Sequence, residues 1–411
     1  MKKTDIKILK NYFEEHISDM MRCPNGGLKY PYLEPGTGYE EMLWDWDSFW
    51  AAKALICMNL KEAESKYLVV DFLKGCVLNF LDASENNGYI PIVLSAKGTF
   101  DKMLDQYIKN GKRINQHKPF LCQNILQISE FCKNYEWIRK KIDVIEKYLD
   151  YYHEKQFDEK TGLYVFVNDI MIGADNDPSV FGRPDFSCAS LLLNSFLVME
   201  FEAFLIIRNK LNLSNNTKWE KYRDLLVAAI ENYCFDEKDK YYYSVDVQVK
   251  THRDEIFHHG MGAFWNCLPI KIRSWTGFLP LYAGVVSKER AEAVIHRHAK
   301  DLKLFCKYGI RTLAADEKMY NVEASSNPSN WLGPIWGISN YVVFKAFMRY
   351  GFQKEARKIA EGTIEMFAND IRQNGGTSES YNPETGKPLL YSGFLNWNVL
   401  ALEMAKDVII N

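Results

Sequence analysis

The 411-residue chain has no long uninterrupted hydrophobic run. Its most apolar stretch, 191–207, is broken by Asn194, Glu200 and Glu202, and so reads as a buried helix and not as a membrane span. The N-terminal segment carries Glu14, Glu15 and Asp19 where a secretory leader would need an apolar core. Charge of one sign is missing too. With 51 basic and 53 acidic side chains the net charge is −2, which provides no field for nucleic acid or an anionic membrane. The nine cysteines are odd in number and include no CxxC pair. They argue against a disulfide framework or a zinc site, and the expectation is reduced, mostly buried thiols in a cytoplasmic protein. His258-His259 is too short a motif for a metal site, so no metal or other cofactor is expected. No linker rich in Pro, Gly or Ser divides the sequence, and one domain spanning 1–411 is expected.

What the sequence does have is helical periodicity. Segments 137–152, 219–233 and 352–367 each place apolar residues on one face and charges on the other. Segments 48–60, 121–132, 187–207, 276–286, 336–348 and 395–404 are apolar nearly all round, which demands burial on every side. The two types roughly alternate over about twelve helices. That alternation predicts an all-α double ring, the (α/α)6 toroid, with an inner barrel inside an outer one. A helical solenoid is the competing arrangement, but no 34- or 40-residue repeat is visible. One faint repeat pairs 157–164 with 235–242, where Asp-Glu-Lys turn chemistry lies between aromatics. It predicts two short hairpins in rim loops.

Aromatic residues are plentiful, and several crowd beside carboxylates. Segment 39–50 holds Tyr39, Trp44, Asp45, Trp46, Asp47 and Trp50. Buried carboxylates make poor core, but indoles stack on the apolar faces of a sugar while carboxylates accept its hydroxyls. Asp45 or Asp47 also has a second role open, capping the helix that follows. Segment 173–179 brings Asp175 and Asp177 beside Gly, Asn and Pro, which taken alone is turn chemistry. Trp331 and Trp336 sit at a loop-to-helix junction, and Trp397 follows Gly393. Glu379 lies among hydroxyls and aromatics, whereas Glu384 belongs to a solvated Pro-x-Thr-Gly turn. Asn115-Gln116-His117-Lys118-Pro119 precedes an apolar helix, where ligand binding and capping are equally open roles.

Taken in order, LWDWDSFW, NQHKP, GADNDPS, SNWLGPIWGISNY and ESYNPETG followed by FLNW resemble the clan of trehalases and glycoside hydrolase family 63. The resemblance is strongest to compact bacterial members that hydrolyse mannosylglycerate or glucosylglycerate, and it covers nearly the whole chain. It implies the same toroid and an inverting α-glycosidase acting on a small-molecule glycoside. Asp175 matches the family's general acid and Glu379 its general base. Tyr39, Trp44, Trp46, Asp47, Gln116, Trp331, Trp336 and Trp397 match the sugar pocket, with Tyr39 on a loop closing over the leaving group. Two departures stand out. Met171-Ile172 precedes Gly173 where Glu-Ser is usual, and Leu332 replaces an Arg whose hydrogen-bonding fork Leu cannot supply. Lys118 and Arg183 are the candidate replacements for that cation. Two other function classes fit the same toroid. One is a sugar epimerase working through histidine pairs. The other is a carbohydrate-binding protein, which would not need Asp175 and Glu379 to share a pocket.

Overall fold

The computed structural model describes residues 2–60, 67–97, 114–249, 264–323 and 329–410. Twelve α-helices occur among them: α1 (Lys3–His16), α2 (Asp45–Cys57), α3 (Val69–Asp82), α4 (Leu121–Cys132), α5 (Ile142–Gln156), α6 (Leu191–Lys210), α7 (Thr217–Ala229), α8 (Leu279–Ala283), α9 (Lys288–His298), α10 (Gly337–Arg349), α11 (Gln353–Asn374) and α12 (Ala401–Ile410).

The apolar segments form the inner ring. Helix α2 packs on α4, α4 on α6, α6 on α8 and α8 on α10; α10 then meets the 3-10 turn Asn396–Leu400, which leads into α12 and packs back on α2. That last contact closes the circle. The helices with one wet face lie outside. Helix α3 packs on α4, α7 on α6 and α11 on α10, and α1 lies across α11 and α12. Helix α11 shows the logic: Ala356, Ile359, Ala360, Ile364 and Phe367 recur at helical spacing and are buried, while Lys354, Glu355, Arg357 and Lys358 do not share that face. Six inner and six outer helical elements make the predicted (α/α)6 toroid.

Helix α6 explains how a carboxyl is accommodated inside the inner ring. Glu200 has no solvent exposure, yet its carboxylate accepts the backbone N–H groups of Cys122 (2.6 Å) and Gln123 (3.2 Å) in the first turn of α4. It caps a neighbouring helix whose first N–H groups would otherwise lack partners. No described helix is long and apolar enough to cross a membrane.

The two expected hairpins are present, pairing Phe157 with Tyr164 and Phe235 with Tyr242. Boundaries differ from the sequence reading where tighter or looser turns intervene. Segment 137–152 begins as a 3-10 turn before α5, and 219–233 ends in a π turn at Ile230–Cys234. Segment 276–286 condenses into a 3-10 turn and the short α8, which Gly284 ends in a left-handed conformation (φ 77°). Residues 187–190 are extended, because the strand Cys188–Ala189 pairs with Val245–Asp246.

Candidate active site

The inner helices present their N-terminal ends to one pocket. Trp46 and Asp47 lie in the first turn of α2, Trp336 directly precedes α10, and Trp397 lies in the 3-10 turn that completes the ring. The strand Met42–Trp44, paired with Val93–Ser95, delivers Trp44. The strand Ser378–Tyr381 runs antiparallel between Ile335–Trp336 and Pro388–Ser392, and so brings Glu379 next to Trp336. The result is a hollow of about 80 Å³ lined by Tyr39, Trp44, Trp46, Asp47, Asp175, Trp331, Trp336, Glu379 and Trp397, together with Asp45, Lys118, Met171, Gly173 and Ser329. A larger hollow of about 530 Å³, beside Phe305, Cys306 and Ile359, lies elsewhere and contains none of the sequence-marked residues.

The aromatic wall is rigid. Trp331 stacks on Trp336 with ring centroids 4.2 Å apart and planes 11° apart, and Trp275 continues the stack behind Trp331 at 5.7 Å. The Trp336 indole N–H donates to the Asn330 carbonyl at 2.8 Å, which fixes its rotation. Trp46 meets Trp50, Phe120, Phe196 and Trp397 edge to face. Its six-membered ring presses on Gly173, where an added Cβ would lie 3.1 Å from a ring carbon. Gly173 also has φ +93°, so glycine is required there on two counts.

Four acids line the hollow, and three of them are free of an ion pair among the described residues. Glu379 is 3 % exposed; its Oε1 accepts the Tyr39 hydroxyl at 2.8 Å, while its buried Oε2 has no hydrogen-bond partner. Burial pushes the Glu379 carboxyl up to about 8, the Tyr39 hydrogen bond works against that, and the charges of Asp47 and Asp175 add to it. Asp47 accepts the Asn396 amide at 2.7 Å. It is pushed up to about 7 by burial and by Asp45, with Lys118 opposing. Asp175 is raised by burial, against hydrogen bonds from the Ser329 hydroxyl and the Gly173 N–H and against the Lys118 charge. Asp175 and Asp47 are partly exposed as residues, although protein atoms surround their carboxyls. Asp45 is different: it is 1 % exposed and ion-paired with Lys118 at 2.8 Å.

Nine of the ten sequence-marked site residues line the pocket, and Gln116 does not. Gln116 is buried with both amide atoms unpartnered. Asp177 is the turn residue of its motif, accepting the Ser179 N–H and hydroxyl, so the two aspartates divide the two roles between them. Glu384 is a mostly exposed surface acid paired with Arg311. Arg183 pairs with Asp246 outside the pocket, and the partly exposed Leu332 is absent from its lining, which leaves Lys118 as the lining cation among the described residues. The sequence reading missed Asp45, Met171, Gly173 and Ser329 as lining residues. Asp45, Gly173 and Ser329 lie inside the quoted motifs and Met171 lies just before one, and the orientation of each comes from tertiary contacts. His258-His259 lies outside the described residues.

The family model for the mannosylglycerate hydrolase MGH1-like glycoside hydrolase domain matches residues 42–397. The chain belongs to this family. The family is one of glycoside hydrolases. A mannosylglycerate hydrolase, MGH1, of Selaginella moellendorffii is 36% identical over 110 residues, which are 27% of this chain and 20% of that protein. The match thus spans only a fifth of the curated relative. The family 63 mannosylglycerate hydrolase of Thermus thermophilus, solved with Tris and D-glycerate, superposes with a TM-score of 0.70 at 17% identity, over 96% of this chain and 99% of that one. The neutral trehalase Nth1 of Saccharomyces cerevisiae superposes at 0.63 and 14% identity, over 99% and 80%. Both share the toroid. Membership of a hydrolase family replaces the epimerase alternative.

Proposed function

We propose that this glycoside hydrolase is an inverting α-glycosidase of small substrates: glucosyl- or mannosylglycerate, trehalose or an α-glucobiose. One observation carries the reading. Asp175 and Glu379, two acids raised by burial, share one indole-lined hollow without bonding to each other, and Glu379 keeps an unengaged oxygen.

In this reading Trp336, the outer ring of the stack, offers an apolar face to the sugar with Trp331 backing it, and Asp47 accepts its hydroxyls. Asp175, protonated in its desolvated setting, delivers a proton to the glycosidic oxygen as the bond to the anomeric carbon breaks. Glu379 in its ionised form takes a proton through Oε2 from a water that attacks the opposite face of that carbon. The products are an alcohol and a sugar of inverted configuration. Tyr39, whose hydroxyl holds Glu379, serves the base, while its loop also borders the leaving group. The buried free thiols, among them Cys76, Cys122 and Cys188, suit a reducing cytoplasm.

The test is a panel of α-glycosides assayed for released glucose and mannose, with proton NMR of the first product. A β-anomer from an α-glycoside is expected, and an α-anomer first product would overturn the mechanism. Asp175→Asn and Glu379→Gln should each lose turnover by at least about 10³-fold while remaining folded. Retained activity in both would remove the assignment.

A further inference from the structure

The segment before α4 has contacts that neither sugar binding nor helix capping explains. Asn115 is 1 % exposed. Its amide donates to the carbonyls of Asn168 (3.0 Å) and Ile170 (2.8 Å), and its Oδ1 accepts the Val167 N–H at 2.8 Å. Lys118, 2 % exposed, reaches the Met171 carbonyl with Nζ at 3.0 Å. The same Nζ pairs with Asp45 Oδ1 at 2.8 Å, and Asp45 Oδ2 accepts the Lys118 backbone N–H at 2.6 Å. Two side chains therefore bond four of the five residues 167–171, whose continuation carries Asp175.

That continuation would not hold its course unaided. Met171 has φ +54° and Gly173 φ +93°, two left-handed residues within three positions of each other. A left-handed backbone at a non-glycine residue persists only where its surroundings fix it. The surroundings here are the Lys118–Met171 bond on one side and the Trp46 ring against Gly173 on the other. Asp45 is the first residue of α2, and Trp46 and Asp47 follow it. The Asp45–Lys118 pair thus ties the loop that delivers the acid to the helix that carries the sugar-facing residues.

We propose that Lys118, supported by Asn115 and Asp45, is a positioning residue for Asp175. It sets the register of the acid's loop, and so the line along which the proton reaches the glycosidic oxygen. The proposal rests on the reading of Asp175 as general acid. It also gives Lys118 a task other than replacing the Arg absent at position 332, since its ammonium group is already engaged by Asp45 and Met171.

The test compares leaving groups. A glycosyl fluoride departs without protonation, whereas a glycerate alkoxide needs the acid. Lys118→Met, and the charge-balanced pair Asp45→Asn with Lys118→Met, would be assayed on α-glucosyl and α-mannosyl fluoride and on the matching glycerate glycosides. The expected result is a fall in kcat on the glycerate glycosides of about 100-fold or more, the range a general acid supplies. On the fluoride the fall should be under about 5-fold, because that substrate bypasses the acid. Equal losses on both substrates would show a role in the fold alone and overturn the proposal, as would unchanged kinetics or a charge-balanced variant that does not fold. Asp175→Asn run alongside separates the two layers. If it keeps its glycerate-glycoside activity, or if the wild type cleaves none of these compounds, the acid reading itself fails. If it loses only that activity while Lys118→Met loses nothing, the acid reading stands and the positioning role is gone.

Discussion

Tyr39 and Glu379, 340 residues apart in sequence, are joined by a 2.8 Å hydrogen bond from phenol to carboxylate. The bond occupies Oε1 and leaves Oε2 as the oxygen that can face an attacking water. It also stabilises the ionised form that a base requires, against burial that favours the neutral form.

Tyr39→Phe should therefore raise the pKa of Glu379. Base catalysis is lost as pH falls through that pKa, so the acid limb of kcat/KM moves to higher pH. A rise of about one unit would cost about 10-fold at pH values below the limb and little above it. A pH profile of both proteins on one substrate decides the matter. An unmoved limb would mean that the phenol does not act through Glu379.

The same acids make stability depend on pH in a direction opposite to the common one. Asp47 and Glu200 are pushed up to about 7 and Glu379 to about 8, each first by burial. Their folded forms bind protons more tightly than the unfolded chain does, so their contribution is fully present below the unfolded carboxylate range near pH 4. It fades as pH rises through about 7 to 8. Glu379→Gln removes one such ionisation. It should melt higher than the wild type at pH 8.5, by roughly 2–4 °C for a gain on the order of 2 kcal/mol, and show little difference at pH 5. Thermal melts at the two pH values test this, and a wild-type Tm that rises steadily from pH 5 to 8.5 would contradict it.

How much of this was legible in the sequence follows from the kind of signal each feature carries. The toroid was legible because burial on all sides, as in 187–207, and burial on one face, as in 352–367, leave different periodicities. The strand Cys188–Ala189 was not, since its ladder partner Val245–Asp246 lies more than fifty residues away. Asp175 and Glu379 became visible only through the order of five motifs. Asp175 and Asp177 carry the same local turn signal; Asp177 is used up by Ser179 within the motif, and Asp175 meets Ser329 and Lys118 from outside it. Lys118 and Asp45 could not be paired from sequence, because 73 positions separate them and each has an adequate local reading. Gln116 shares a motif with Lys118, which lines the pocket, yet Gln116 is buried and absent from the lining, a difference that local sequence does not encode.

Gly173→Ala would test how closely the acid's loop and the indole wall fit. The new Cβ would have to move the Trp46 ring, which four aromatic neighbours hold, and would force a side chain into φ +93°. The backbone strain alone costs about 1–3 kcal/mol. Activity should fall by at least about 10-fold through displacement of the carboxyl two residues on, with kcat affected more than KM. Steady-state kinetics and a thermal melt report the two effects separately, and a variant with wild-type values for both would refute the tight fit.

Glu200 provides the last prediction, away from the pocket. Its carboxylate is the acceptor for two N–H groups at the start of α4, the helix that follows the Asn115–Lys118 segment. Glu200→Ala leaves both donors buried without a partner and opens a hole in the inner ring, at a cost of about 2–5 kcal/mol. Glu200→Gln keeps one acceptor oxygen and the volume but turns its amide N–H₂ toward one of the donors, so it should cost less than the alanine variant. Because the wild-type carboxyl is pushed up to about 7, the glutamine variant should compare better with the wild type at pH 8.5 than at pH 5. Chemical denaturation of the three proteins at both pH values measures the order. An alanine variant as stable as the wild type would show that α4 starts without this cap.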